Sequence, residues 1–294
     1  MQVKLQIFLL AAAVVLAGCI GQPTTTGGGG TAGLIITSFS PELPEVEGGE
    51  NVVFTMAVKN VGDVSVATSA AKIQILGLDD WAVPSGSPGK TVTIDTDLRR
   101  ADPARGEEGE EFFKDTTLTA PQKDTTITYT PTVRVLYPYT TTSTILLKFA
   151  TREVIKTDPN QQSTATIATT SGPFVVSVRG KLLTIKSGSN VEVPFQLEIQ
   201  NVGGGRAFSG TGVDAASDEI DKIKVTPTGS GATITCDPSG ADVRLIGGKS
   251  RVLSCRATFS TVPPATITAT LDLELEYNYF IDTQTSVTLL KTSV

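Results

Sequence analysis

The sequence contains no histidine, and aromatic side chains make up only 6% of its 294 residues. Histidine is the usual general base near neutral pH and the commonest metal ligand in proteins. Its absence excludes Ser-His-Asp and Cys-His catalysis and every histidine-bound metal site. Positive charge is also scarce, since 24 Lys and Arg face 30 Asp and Glu. The net charge of -6 opposes nucleic-acid binding, because phosphates require clustered cations.

Only three cysteines occur in the chain: Cys19, Cys236 and Cys255. Cys236 and Cys255 each end a short alternating apolar segment, as two strands of one sandwich would. We expect them to form a disulfide, which is typical of proteins exported to an oxidising environment. A disulfide requires Cα atoms within about 7 Å, which neighbouring strands or facing sheets satisfy. The alternative is a pair of buried free thiols.

The N-terminus has the architecture of a secretion signal: one cation, Lys4, and then an apolar run from Ile7 to Leu16 that is too short to span a bilayer. The run ends in Leu-Ala-Gly-Cys19, which resembles the lipobox of prokaryotic lipoproteins. The resemblance predicts a signal peptide over residues 1–19 and a lipid anchor on Cys19. Residues 20–33 are rich in Thr and Gly and predict a flexible linker that spans roughly 20 Å on average.

Two long segments of the chain repeat. Residues 49–62 and 190–203 match at an offset of 141 (Phe54 to Phe195), and both alternate apolar with polar residues before ending in Asn-Val-Gly. A later pair of tyrosines recurs at an offset of 140 (Tyr137 to Tyr277). Period-two alternation predicts strands with one buried face, so the tyrosines are expected in the core. Turns that end the two strands are predicted at Asn60, Gly62, Asn201 and Gly203.

The repeat predicts two domains, residues 33–154 and 172–294, with a turn-rich linker at 155–171. Thr164 to Thr169 could add a further strand. Abundant Thr, Ser and Val, together with 28 Gly and 16 Pro, favour many short strands joined by turns. No long helical pattern occurs after the signal sequence. The fold class is therefore all-β, with two tandem antiparallel β-sandwiches.

The strand that ends in Asn-x-Gly resembles the cell-adhesion-related (CARDB-like) immunoglobulin-like domains of bacterial and archaeal surface proteins. The resemblance implies two immunoglobulin-like sandwiches and a stalk, adhesin or scaffold, with no catalytic residues and no cofactor. We expect a prokaryotic, archaeal-type lipoprotein on the extracellular face of the cell membrane. Its expected partners are the membrane, through Cys19, and other envelope or surface proteins or glycans, but no nucleic acid. The alternatives are a filament subunit assembled by strand addition and a carbohydrate-binding surface protein.

Other candidate motifs predict loops or solvent-exposed faces. The acidic run 107–111 lacks the ordered ligand pattern of a calcium loop, and no metal site is expected. Asp79 and Asp80 precede Trp81, which we expect to cover one end of the core. Ser69-x-x-Lys72 imitates a penicillin-recognising motif but falls in a β-rich stretch, where the two side chains point apart. The alternating acids of residues 272–276 are expected to face solvent.

Overall fold

The computed structural model describes residues 32–158, 161–180, 182, 185–187, 190–209, 218–261 and 265–292. The predicted lipidation site Cys19, the signal peptide and residues 20–31 of the linker lie outside this part of the chain. The described elements are β1 (Leu34–Pro41), β2 (Glu45–Val46), β3 (Asn51–Asn60), β4 (Lys72–Leu76), β5 (Thr91–Thr93), β6 (Glu111–Thr119), β7 (Ile127–Tyr129), β8 (Thr132–Ala150), α1 (Arg152–Thr157), β9 (Thr164–Thr169), β10 (Phe174–Arg179), β11 (Ile185–Ser187), β12 (Asn190–Asn201), β13 (Arg206–Phe208), β14 (Lys222–Ser230), β15 (Thr233–Asp237), β16 (Gly240–Arg244), β17 (Ser250–Phe259), β18 (Thr266–Gln284) and β19 (Val287–Leu289).

An eight-stranded sheet organises the fold. Its strand order is β16-β14-β18-β8-β4-β5, with β13 also beside β18 and β9 beside β8. Two smaller sheets have the orders β1-β3-β6 and β10-β12-β17-β15, and β11 extends the second beside β12. A short sheet, β2-β19-β7, closes one end. Almost all of these pairings are antiparallel; the exception is the parallel pair β2 and β19.

Alternation along the central strands decides where the core lies. In β8 the side chains at odd positions from Val133 to Phe149 are buried, and most of those between them are at least partly exposed. The two smaller sheets cover this buried side, which we call the inner face; the opposite side is the outer face. Phe149, for example, packs against Phe195 of β12 and Phe259 of β17. The predicted all-β fold with sandwich-like antiparallel sheets is confirmed.

The two sandwiches share the long strands β8 and β18, which pair over all 19 residues of each. The first part of β8 lies beside β4, whereas residues 143–148 lie beside β9. Correspondingly, β18 begins beside β14, and the strand that follows it, β19, pairs with β7 and β2 of the first repeat. Each repeat therefore contributes the end of its long strand to the other sandwich. As divisions of the chain, residues 33–154 and 172–294 stay predictions.

The ladder between β8 and β18 is self-complementary. Tyr137 lies opposite Tyr279, and Tyr139 lies opposite Tyr277. The repeat offset of 140 residues converts the first of these pairs into the second, as a twofold axis would. The axis passes through the ladder at Pro138, which lies opposite its own repeat equivalent, Asn278. The chain is thus arranged like a twofold dimer whose two subunits are joined end to end.

The stretch 155–171, predicted as a linker, contains the end of a short helix and a strand. Thr164 to Thr169 form β9, as the sequence suggested, and β9 pairs with the far end of β8. Before it, α1 begins after Thr151, whose hydroxyl accepts a hydrogen bond from the Val154 amide as an N-cap. The helix has six residues, too few for a helical period to be visible in the sequence. The segment thus turns the chain back onto the eight-stranded sheet.

Candidate functional site

Four tyrosines meet on the inner face where the two sandwiches join, a region we call the waist. Ring centroids lie 5.9 Å apart between Tyr137 and Tyr279 and 6.2 Å apart between Tyr139 and Tyr277. Phe174 packs edge-on against Tyr277 at 4.7 Å. None of the four tyrosines is more than 6% exposed, so the predicted core position is confirmed. They form no exposed platform on which a sugar ring could stack.

Every tyrosine hydroxyl at the waist has a hydrogen-bond partner. Tyr137 accepts from the Leu34 amide at 3.2 Å, and Tyr139 donates to the Ser171 carbonyl at 2.6 Å. Tyr277 shares a hydrogen bond of 2.7 Å with Thr141, and Tyr279 donates to the Asn201 side chain at 2.7 Å. These hydrogen bonds therefore connect the tyrosines of the waist to chain segments that lead into or out of strands of both small sheets.

Burial is the largest influence on the ionisation of these tyrosines, because a phenolate loses its hydration in the core. It raises the pKa of Tyr139 and of Tyr279 to about 12. The same burial raises the pKa values of Tyr137 and Tyr277 well above the usual value for tyrosine. All four hydroxyls are consequently neutral at physiological pH and act as hydrogen-bonding groups, not as bases.

The two Asn-Val-Gly segments reach the waist from opposite sides with nearly the same bonding. The side-chain nitrogen of Asn60 donates to the carbonyls of Val64 at 2.9 Å and Leu98 at 2.8 Å. Its side-chain oxygen accepts from the backbone amide of Gly62 at 2.9 Å. At the equivalent position, the side-chain nitrogen of Asn201 donates to the carbonyls of Gly205 at 2.9 Å and Gly248 at 3.0 Å. Its side-chain oxygen accepts from the backbone amide of Gly203 at 3.2 Å. Each asparagine thus ties the end of its strand, β3 or β12, to two loops. Asn60, Gly62, Asn201 and Gly203 therefore have a structural role at the two strand ends.

The glycines of the two segments are required by close approach to the waist. A Cβ atom at Gly62 would lie 2.1 Å from the Tyr139 hydroxyl oxygen, and one at Gly203 would lie 2.8 Å from that of Tyr279. Any other residue would push the tyrosine out of place. Sequence reasoning assigned both glycines to turn geometry alone and missed this contact, since alternation does not reveal which side chain faces a turn.

Cys236 and Cys255 form the predicted disulfide. They lie directly opposite each other on β15 and β17, with Cα atoms 4.1 Å apart. Phe195 of β12 is the partner of Cys255 on the other side of β17. In the first repeat the corresponding partner of Phe54 is Thr116, whose hydroxyl donates to the Gly89 carbonyl at 2.7 Å. Equivalent positions of β6 and β17 are therefore held by different interactions, a hydrogen bond to a loop in the first repeat and a disulfide in the second.

The remaining candidate motifs do not assemble a reactive site. Asp80 accepts from the Tyr129 hydroxyl at 2.8 Å and pairs with Lys123 at 3.0 Å. Partial burial raises its pKa, but these two hydrogen bonds outweigh that effect, so the pKa of the carboxyl lies below its usual value. Trp81 is buried over the core end as expected. Ser69 precedes β4 in a left-handed turn with φ of 64°, so the Ser-x-x-Lys helix is missing.

Within the described ranges, no three His, Cys, Asp or Glu residues are grouped to hold a metal ion. In the same part of the chain, no helix has the length and apolar character needed to cross a membrane.

An apolar cluster on the outer face was not predicted. Phe208 and Phe280 lie 6.1 Å apart beside Leu136, and the Arg134 guanidinium lies 4.1 Å from the Phe280 ring centroid. Arg134 also forms an ion pair with Asp282 at 2.7 Å. The signal was available in the sequence, because Leu136-Tyr137 and Tyr279-Phe280 place two apolar residues in succession and so interrupt strict alternation. The cluster packs β13 onto the central ladder.

No protein-family model matches the chain. A search of curated proteins likewise found no match. Among solved structures, the envelope protein VP37 of White Spot Syndrome Virus aligns with 8% identity and a TM-score of 0.26, over 48% of this chain and 98% of that one. The D0-D1 domain of intimin aligns with 11% identity and a TM-score of 0.19, over 87% and 99%. A partial N-terminal region of the enterococcal surface protein aligns with 8% identity and a TM-score of 0.19, over 87% and 85%. TM-scores this low do not establish a common fold, so no functional argument rests on these similarities.

Proposed function

We propose that the chain is a non-enzymatic structural or adhesion protein of the cell surface, held to the membrane by a lipid on Cys19. The observation that carries the proposal is how the buried polar groups of the described residues are used. The polar and charged residues of the described core each hydrogen-bond within the fold: Asn60, Thr116, Thr141, Ser143, Thr151 and Glu198. Among the other buried side-chain atoms of the described residues, Trp81 Nε1, Arg251 Nε and Thr292 Oγ1 make no hydrogen bond. Catalytic groups with perturbed ionisation usually face a cleft that substrate can enter, whereas the four tyrosines with raised pKa values at the waist are at most 6% exposed. The polar chemistry of this core serves rigidity.

The disulfide supports a location outside the cytoplasm, because disulfides persist in oxidising compartments. The lipobox at Cys19 supports attachment to the outer side of the membrane. The resemblance to cell-adhesion-related domains supports a role as adhesin or scaffold. Other envelope or surface proteins, or glycans, are the partners we propose on that basis.

Two of the described sheet edges, those of β6 and β5, favour this proposal over a filament assembled by strand addition. Strand addition requires a long exposed edge with free backbone groups. On the edge of β6, the Ser87 hydroxyl donates to the Thr117 carbonyl at 2.7 Å and accepts from its amide at 3.2 Å. At one edge of the eight-stranded sheet, β5 has only three residues. These edges offer little for a neighbouring chain to extend.

Membrane fractionation of cells that produce Cys19→Ser tests the anchor. We expect the variant to leave the membrane fraction and appear in the medium, while the matched linker variant Thr25→Ser stays attached. Retention of Cys19→Ser on membranes with the same processed mass as the unaltered protein would show that the anchor is elsewhere.

Attachment assays test the role. Beads coated with the full chain should bind cells or envelope fragments more than beads coated with an unrelated protein of similar charge. A hydrolytic activity of the purified chain that disappears in Asp79→Asn/Asp80→Asn would instead show that it is an enzyme.

A further inference from the structure

The segment that follows Asn-Val-Gly lies differently in the two repeats. In the second repeat it forms β13, which pairs with β18 and places Phe208 opposite Asn278. The offset of 141 makes residues 65–67 the equivalent of β13, with Ala67 at the position of Phe208. Residues 65–67 are all described, and they form no strand beside β8. Pro138, the equivalent of Asn278, agrees with this difference, because proline occurs within sheets mainly where a neighbouring strand is missing. The first repeat therefore leaves a gap that β13 fills in the second.

The apolar cluster on the outer face has a polar counterpart across the twofold axis. The axis relates Leu136 of the cluster to Glu276. It relates Phe280 to Thr140, and Glu276 and Thr140 again lie opposite each other in the ladder. The third member of the cluster, a phenylalanine, is replaced by Ala67. Three buried apolar side chains thus correspond to a carboxylate, a hydroxyl and a methyl group, all of which are at least partly exposed.

An open cavity of about 570 Å³ occupies this gap. Its volume lies within the range of small-molecule sites, about 300–1,000 Å³. Both repeats contribute to its lining: Ala67, Pro138 and Thr140 from the first, and Lys224, Glu276 and Asn278 from the second. Lys224 and Glu276 form an ion pair in which both side chains remain partly exposed. The cavity therefore presents charged and hydroxyl groups beside the exposed apolar surfaces of Ala67 and Pro138.

The second repeat shows what size of group fits this position. There the equivalent space is filled by one six-membered ring, the phenyl group of Phe208, which is buried. A sugar residue also has a six-membered ring, with C–H groups on its faces and hydroxyls around its edge. Hydroxyls donate and accept hydrogen bonds, and these are stronger with the charged Lys224 and Glu276 than with neutral groups. An aromatic ring would instead remove water from this ion pair without replacing its hydrogen bonds. The groups of the cavity therefore favour a hydroxylated ring.

We propose that this cavity binds one neutral sugar residue of a glycan. Its hydroxyls donate to the Glu276 carboxylate and accept from the Lys224 ammonium, the Thr140 hydroxyl bonds to a third, and one C–H face of the ring lies against Ala67 and Pro138. The inference rests on the proposed adhesion role, for which glycans are among the partners, and it does not depend on the lipid anchor. The site belongs to the first repeat alone, because Phe208 closes its equivalent in the second.

Saturation-transfer NMR on the purified full chain tests the site. The probes are free glucose, galactose, mannose and N-acetylglucosamine, each at millimolar concentration, because a ligand of about a dozen heavy atoms is expected to have a millimolar Kd. We expect transfer from the protein to the ring protons of at least one of these sugars. Transfer to none of the four would overturn the proposal. Phenol serves as the aromatic probe, and stronger transfer to phenol than to every sugar would overturn the assigned ligand class.

Three variants locate the binding. Ala67→Phe supplies the ring that the second repeat has at this position and should abolish the transfer. Glu276→Gln keeps the shape of the side chain but removes its charge, so sugar binding should weaken by about tenfold. The matched control is Glu274→Gln, two residues away on the same face of β18 and outside the cavity, which should bind as the unaltered chain does. Thermal unfolding verifies that each variant is folded, and Glu276→Gln decides the test if Ala67→Phe is not. Undiminished transfer in folded Ala67→Phe, or in Glu276→Gln, would show that the sugar binds elsewhere.

Bead attachment separates failure of the site from failure of the adhesion role. If none of the four sugars binds but beads coated with the chain still attach to cells, the sugar site is wrong and the adhesion role stands. If a sugar binds in the cavity but the beads do not attach, the site stands and the adhesion role fails.

Discussion

The two repeats protect the exposed edge of equivalent strands in different ways. In the second repeat, the edge of β17 is covered by β15, and a covalent bond joins the two strands at Cys236 and Cys255. In the first repeat, the edge of β6 is covered by a loop, through the Thr116 hydrogen bond to Gly89 and the two bonds of Ser87 to Thr117. The long ladder of β8 and β18 is therefore common to both repeats, whereas the edge of the small sheet is covered by a strand in one repeat and by a loop in the other.

The largest expected effect comes from a residue that one repeat contributes to the other's core. Phe149→Ala should destabilise the protein by about 3–5 kcal/mol, because a large buried side chain leaves a cavity. Denaturant unfolding should report this through Trp81, the only tryptophan, although Trp81 lies in the first sandwich. Leu146→Ala, nearby on the exposed face, should change stability by no more than about 0.5 kcal/mol. An unchanged Trp81 transition in Phe149→Ala would mean that the halves unfold separately.

Removal of the disulfide should cost somewhat less. The double change Cys236→Ala and Cys255→Ala opens a loop of 19 residues in sequence separation, for which chain entropy predicts about 3 kcal/mol. The matched change in the first repeat, Thr116→Val, should cost about 1–2 kcal/mol, because it leaves the Gly89 carbonyl without its partner. Urea unfolding of both variants measures the difference. An equal or larger loss in Thr116→Val would reverse this ranking of the two edge closures.

The two asparagines should differ according to their burial. Asn60 is fully buried, whereas Asn201 is partly exposed. Asn60→Ala should therefore destabilise by about 2–3 kcal/mol and Asn201→Ala by about 1–2 kcal/mol, since water can reach the groups that Asn201 leaves unpaired. Thermal unfolding of the two variants gives the comparison, with Val61→Ala as a neighbour that makes no side-chain hydrogen bond. Equal losses would show that solvent does not reach the second site.

The smallest effect at neutral pH concerns the tyrosines of the waist, which is shared by both repeats. Unfolded tyrosine ionises near pH 10, at about its model value, whereas burial raises the pKa of Tyr139 and Tyr279 to about 12. The folded state holds these protons more tightly, so their contribution to stability is complete below about pH 10 and is lost as pH rises toward 12. Tyrosinate absorbance should therefore stay low up to pH 11 while circular dichroism remains native. Full ionisation near pH 10 in the folded protein would contradict the buried waist.

Alternation in the sequence was enough to place the strands β3 and β12, the buried tyrosines and the cysteine pair. It identifies which face of a strand is buried, because side chains alternate across a sheet. It does not identify the neighbouring strand, so the pairing of β8 with β18 was not predicted. For the same reason the contact of Gly62 with Tyr139 was missed, as was the crossing of β19 into the first sandwich. Which strands pair with each other depends on the packing of the whole fold, and the sequence of a single strand does not contain that information.

The self-complementary ladder also restricts how the gene for this protein can change. Insertion of one residue near Pro138 would turn every later side chain of β8 to the opposite face and shift its register against β18. Because the same residues serve both sandwiches, a compensating insertion would have to occur at the equivalent place near Asn278. Length variation should therefore accumulate in the loops and at the ends of the long strands. The two central segments, around Pro138 and Asn278, lie 140 residues apart in sequence. Insertions or deletions in one of them are nevertheless expected to be accompanied by matching changes in the other.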